Sequence, residues 1–129
     1  MPAEPFLSVT SPKEGVHVVS FTTSDVREKL YDTDDIIDSA LFAEFKESVV
    51  ANLKADETVV LNFGKIEPFP TAFYRWMLSV RQAVRAENAE LRLCEFTPLV
   101  KECFELMGGS KIFNIHDTQV DALRAANEE

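Results

Sequence analysis

Two histidines, two cysteines and a run of aspartates are the residues of this chain whose types suit metal or acid–base chemistry, so their spacing comes first. His17 and His116 are separated by most of the chain, and neither has a cysteine or a paired carboxylate nearby at ligand spacing. Each reads as structural or exposed. Cys94 falls on a predicted buried strand and Cys103 on the apolar face of the helix after it, where cysteine acts as a small hydrophobe. Asp32, Asp34, Asp35 and Asp38 cluster at a predicted helix start, where acidic groups favour the positive end of the macrodipole, so they read as caps rather than metal ligands. The sequence has no glycine-rich phosphate loop, no G-x-S-x-G and no H-E-x-x-H. The expectation is a protein that is not an enzyme, with no catalytic residue, no metal and no cofactor; a small α/β enzyme with convergent distant residues stays as the least favoured alternative.

Binding chemistry is more legible, and it lies on one helix predicted from Thr71 to Ala86. At roughly 100° per residue, Phe73, Trp76, Met77, Val80 and Val84 share one face, and Thr71, Arg75, Ser79, Gln82 and Arg85 share the other. Tyr74 and Leu78 fall among the polar residues and are expected to be exposed beside the arginines. Tyrosine with arginine is an interface composition, whereas single exposed apolar residues are also common on monomers. The candidate partner surface is therefore the loop and helix around residues 66–86, with Pro70, Thr71, Tyr74, Arg75, Leu78, Ser79 and Gln82 as its residues. Thr71 is the sole serine or threonine between Thr58 and Tyr74.

The elements that position this helix follow from periodicity and punctuation. Phe6–Thr10 and Val16–Phe21 predict a hairpin around Ser11-Pro12-Lys13-Glu14-Gly15. Thr22–Tyr31 is polar and irregular; Asp32 and Asp35 predict a helix running through Ile36, Ile37, Leu41, Phe45, Val49 and Leu53. The β-rich run Thr58–Phe63 predicts the sheet centre. After the helix come a strand at Leu91 and Leu93, then Thr97-Pro98 as cap and first turn of a helix bearing Val100, Cys103, Phe104 and Met107, which Gly108-Gly109 ends. Ile112, Phe113 and Ile115 predict a short strand, and Asp117 or Thr118 with Asp121 a capped last helix. This order predicts an α/β fold, a mixed sheet of about four to five strands with about four helices and right-handed crossovers.

With 129 residues the chain is expected to form a single domain, 1–129, with its core from residue 6 to 125 and short flexible termini. No stretch reaches the roughly 20 apolar residues of a membrane span, and the start MPAEPFLSV lacks a basic region, so membrane insertion is not expected and the cytoplasm is. The net charge of -9 repels phosphate backbones, which argues against nucleic acid, and it either serves solubility or steers the chain toward a basic partner.

From Leu91 to Leu123 the pattern is more specific: a strand L-x-L, the polar cap at Thr97, a helix V-x-x-x-F-x-L-x-x-G from Val100 to Gly109, and F-x-I at Phe113–Ile115 before a closing helix. This resembles the C-terminal half of the STAS domain, the fold of the anti-sigma-factor antagonists (anti-anti-sigma factors), and the resemblance extends from about Val9 to Ala125. It implies a STAS-like topology and a role in transcription regulation and signalling. The implied partner is an anti-sigma factor with serine-kinase activity or another STAS protein, a homodimer included. It also implies a phosphorylated D-S-[ST]-G at the start of the helix after the central strand. Here Phe69-Pro70-Thr71-Ala72-Phe73 stands in that place: the aspartate and glycine are missing, Thr71 matches the first hydroxyl and Ala72 the second. Two readings stand for Thr71, a helix cap or a phosphoacceptor whose phosphate meets Arg75 one turn on. The alternative within the family is a STAS scaffold or adaptor in a stressosome-like or lipid-transport complex.

Overall fold

The computed structural model describes residues 7–21, 40–64 and 70–127, without the side chains of 40, 41, 70–73 and 127. Five strands form one sheet in the order of the chain: β1 (Leu7–Lys13), β2 (Val16–Phe21), β3 (Thr58–Asn62), β4 (Glu90–Cys94) and β5 (Asn114–His116). β1 is antiparallel to β2 through the hairpin, where Gly15 takes the left-handed conformation (φ 82°) that side chains disfavour. The other pairs are parallel, so each needs a crossover. Those helices are α1 (Ala40–Ser48), α2 (Pro70–Ala86), α3 (Pro98–Leu106) and α4 (Gly109–Ile112); α5 (Gln119–Asn127) follows β5.

The mixed α/β sheet expected from the sequence is present, with the run at Thr58 at its centre and buried throughout except for Asn62. Strand alternation sends Val19, Phe21, Val59, Leu61, Phe63, Leu91 and Leu93 to one face, where they pack with Phe42, Phe45, Trp76, Val80, Val100 and Phe104 from the helices. The other face carries Val16, Val18, Val60 and Cys94 under Ala122 of α5.

Local signals account for most boundaries. The Thr97 hydroxyl accepts from the Val100 amide at 3.3 Å, with Pro98 in the first turn, and Gly108 (φ 81°) ends α3 in the left-handed region. Thr118, rather than Asp117, caps α5 by accepting from the Asp121 amide at 3.1 Å; Asp117 instead pairs with Lys101 at 2.8 Å.

Three details differ from expectation. Gly109–Ile112 forms an additional short helix, making five α-helices among the described residues, and β5 starts at Asn114, so Ile112 ends a helix instead of starting a strand. The turn requires glycine at its first position, because a Cβ at Gly109 would lie 2.8 Å from the Phe104 carbonyl. α1 ends at Ser48 and gives way to a 3-10 turn at Val50–Asn52, which still buries Val49 and Leu53. β1 runs on to Lys13 with an irregularity between Thr10 and Lys13, where Pro12 has no amide to pair. The helix start expected at Asp32–Asp38 lies outside the described residues.

Candidate functional site

α2 begins with Pro70, whose fixed φ and missing amide suit a first helical position. The described part of its inner face is buried: Trp76, Met77, Val80 and Val84 are each 0% exposed. Trp76 lies 6.0 Å from the rings of both Phe21 and Phe45, which joins α2 to β2 and α1. The outer face is thereby held in a fixed orientation.

That outer face is less uniform than the helical wheel implies. Arg75 and Gln82 are exposed, but Tyr74, Leu78 and Ser79 are half-buried. Tyr74 and Leu78 pack against the core, which corrects the expectation that both are exposed. The Tyr74 ring meets Phe104 at 5.2 Å and Phe113 at 5.8 Å, both edge-on, and its hydroxyl donates to the Met107 carbonyl at 3.3 Å. The reason is tertiary: Phe104 of α3, the Met107 carbonyl and Phe113 cover the flank on which Tyr74 sits, and a single-helix projection contains no neighbour. Ser79 and Gln82 line a shallow groove of about 320 Å³ with Phe42, Lys46 and Ala83, between α1 and α2. Pro70 and Thr71 lie in the first turn of α2, Thr71 one turn before Arg75. Their side chains are outside the description.

The chain enters α2 from the carboxyl end of β3, the edge where ligands and partners of open α/β sheets commonly act. Asn62 organises it: its Oδ1 accepts from the Gly64 amide at 2.7 Å, and its Nδ2 donates to Gln119 Oε1 at 2.7 Å. Glu95, in the left-handed region at φ 64°, accepts the Gln119 amide at 2.7 Å on Oε2, placing a carboxylate at the positive end of α5. Beneath this edge a train of rings joins Phe21, Phe63, Phe96 and Phe104, with centroids 4.9 to 5.2 Å apart at each step. Sequence reasoning had no reason to pick Asn62, Glu95 or Gln119; the only local trace is polar residues following two apolar strands.

Little among the described side chains is suited to covalent chemistry. Burial, followed by the nearby Glu95 charge, pushes the Cys94 thiol up to about 12, and its Sγ donates to the Leu61 carbonyl at 3.6 Å, so it stays protonated. His17 sits between the Ser11 hydroxyl at 2.9 Å and Glu57 Oε1 at 3.2 Å. His116 accepts at Nε2 from Arg92 at 3.0 Å. Both histidines thus have structural partners. Among the described residues no group of three or more His, Cys, Asp or Glu is placed to hold a metal ion. Nor is any described helix long and apolar enough to cross a membrane.

The sequence profile of the STAS domain matches residues 22–122. A protein of Bordetella bronchiseptica, BtrV, named an anti-sigma factor antagonist, is 31% identical over 91 residues, which cover 70% of this chain and 78% of that protein. Among solved structures, an anti-sigma-factor antagonist (STAS) domain protein from Planctomyces limnophilus superposes with a TM-score of 0.66 at 16% identity, covering 95% of this chain and 98% of the other. The NMR structure of the protein TM1081 gives 0.70 at 12% identity, over 100% of this chain and 93% of that one. At those identities the two structures speak for the fold.

Proposed function

The chain belongs to the STAS domain family, and from that premise we propose that it is a non-enzymatic regulator of the anti-sigma-factor-antagonist kind, acting in the cytoplasm by binding a protein partner. The observation that carries this reading is the asymmetry of α2. One face is locked into the core, with Trp76, Met77, Val80 and Val84 at 0% exposure, while the other presents Arg75 and Gln82 to solvent. A rigid helix with a solvent-facing side loses little conformational entropy when a partner docks. The surface consists of Arg75 and Gln82 as exposed contacts, with Leu78 and Ser79 as its half-buried floor and Pro70 and Thr71 at its start. Tyr74 contributes by fixing α2 against α3 rather than by direct contact. The partner is an anti-sigma factor with kinase activity, as the likeness to an anti-sigma factor antagonist suggests.

Thr71 is the phosphoacceptor in this reading. The first turn of a helix offers free amides and a positive dipole end to a dianion, and Arg75 stands one turn on. Capture of partners from the native cell with wild type and Arg75→Glu tests the surface. Wild type is expected to recover an anti-sigma factor and the variant to lose it; equal recovery by both rejects the surface, and recovery of stressosome-like or transporter components instead moves the protein to the scaffold role. Intact-mass measurement after exposure to the captured kinase tests the switch. One added phosphate that disappears in Thr71→Ala is expected, and its persistence in that variant refutes the assignment.

A further inference from the structure

α2 is 17 residues long and carries Arg75, Arg81 and Arg85 with no aspartate or glutamate, in a chain of 22 acidic and 13 basic residues. Among the described residues the ion pairs are His17–Glu57, Arg92–Glu90 and Lys101–Asp117, and none engages these arginines. Arg81 and Arg85 stand four residues apart, so they project from one side of the last turns of the helix, and like charges at that spacing repel. Two positive groups held on one side of the helix, neither in a described ion pair, favour an anion between them.

Beside them is a cleft of about 230 Å³ between the end of α2, the start of β4 and the α4–β5 junction. Arg81 and Arg85 form one wall, and Leu91, Ile112 and Phe113 form an apolar one. Leu91 and Phe113 are buried, whereas Ile112 is 38% exposed, so the apolar wall reaches the surface. Glu90 and Asn114 also line the cleft, yet Glu90 Oε1 accepts from Arg92 at 2.8 Å and from Asn114 at 3.2 Å. Among the described lining residues Glu90 is the one carboxylate against two guanidinium groups, and its Oε1 is shared by Arg92 and Asn114.

We propose that this cleft receives an acidic segment of a partner protein, a carboxylate between Arg81 and Arg85 and an adjacent apolar side chain against Leu91, Ile112 and Phe113. Arginine forks match carboxylates in paired hydrogen bonds, and the volume suits one or two side chains. The apolar wall distinguishes this occupant from a free inorganic anion, which gains nothing from Leu91 or Phe113. The proposal extends the α2 docking reading to a second anchor at the opposite end of the helix, and it fails separately, since Arg75 takes no part in it.

The test is an NMR titration of the ¹⁵N-labelled full chain with a short blocked peptide of alternating glutamate and leucine. Amide shifts are expected at Leu91, Phe113 and Asn114, with affinity falling as salt rises. Arg81→Gln with Arg85→Gln is expected to weaken binding at least about tenfold and Arg75→Gln by less than about twofold. Arg85→Gln alone, at an exposed position, serves if the double variant loses its fold. Equal shifts with the glutamine–leucine peptide, unchanged affinity of the arginine variants, or no shift up to about 5 mM peptide overturns the proposal. So does an equal response to glutarate or inorganic phosphate, which marks a small-anion site. If the cleft fails while Arg75→Glu still loses the native partner, the function stands and the second anchor falls.

Discussion

The two faces of the sheet are built from alternate residues of the same strands, yet they are covered very differently. One carries α1, α2 and α3 over a core that includes Phe21, Phe45, Phe63, Trp76 and Phe104, all 1% exposed or less. Among the described residues the other carries α5 alone, over Val16, Val18, Val60, Cys94 and Ala122, with Leu123 and Ala126 partly buried at its margin. Aromatic side chains each bury 150–250 Å² and valine and alanine far less, so the first face holds most of the hydrophobic stabilisation. Polar ties hold much of the second: Asn62 to Gln119, Glu95 to the Gln119 amide, and Lys13 Nζ to the Leu123 carbonyl at 3.5 Å. The proposed binding helix therefore lies on the rigid side, which gives a partner a fixed target, while the side bearing α5 has the lower local opening cost.

Truncation should separate the faces most clearly. Trp76→Ala removes a fully buried ring from the aromatic side and is expected to cost about 3–5 kcal/mol by denaturant titration, enough to unfold a marginal domain. Ala122→Asp sets a carboxylate against Val16, Val60 and Cys94 and is expected to cost about 2–3 kcal/mol, because α5 can swing away and hydrate it. Its distinctive readout is Cys94. In a Cys103→Ser background, Ala122→Asp should expose the Cys94 thiol to alkylation far below the denaturant midpoint, while an inner-face variant such as Val80→Ala should not. Parallel behaviour of the two variants would show the faces opening together and dissolve the distinction.

The next effect is smaller and concerns a residue that the sequence did not single out. Asn62→Ala breaks the bond to Gln119 and frees the Gly64 amide, at a cost of about 1–2 kcal/mol, and should raise hydrogen exchange in α5 more than in α2. An equal rise in both helices would mean that Asn62 ties the whole domain. Its absence from the sequence reading is instructive. Strand alternation, the Thr97-Pro98 cap and the Gly108 stop are local rules written in neighbouring residues, and those elements appear where the rules put them. Asn62, Glu95 and Gln119 meet across 24 to 57 residues of chain, and no local rule brings them together. The same limit misplaced Tyr74. Its helical phase is polar, but Phe104 and Phe113 arrive from other elements to cover it. The inner face of α2 was legible because burial on one helix face leaves a period, whereas the cleft at Arg81 and Arg85 depends on where α4 and β5 end.

The smallest effect is a pH dependence confined to the α5 side. Burial, followed by the Arg92 guanidinium, holds the His116 pKa below the ordinary histidine value of 6.5, against the opposing pull of Asp121 and Asp117. The folded state thus favours neutral His116, whose Nε2 accepts from Arg92 at 3.0 Å. As pH falls through about 6.5 the unfolded chain takes up this proton first, so it binds more protons than the native state and stability declines toward the lower, folded pKa. Protonation also converts the acceptor into a second cation facing Arg92. Urea midpoints measured from pH 7.5 down to pH 5.5, above the range in which Glu57 titrates, should show a modest decline in wild type. His116→Gln keeps a neutral acceptor and should flatten that decline, with the remaining slope unchanged. If the variant retains the full slope, the proton enters elsewhere, and the α5 face loses its claim to be the pH-sensitive half of the molecule.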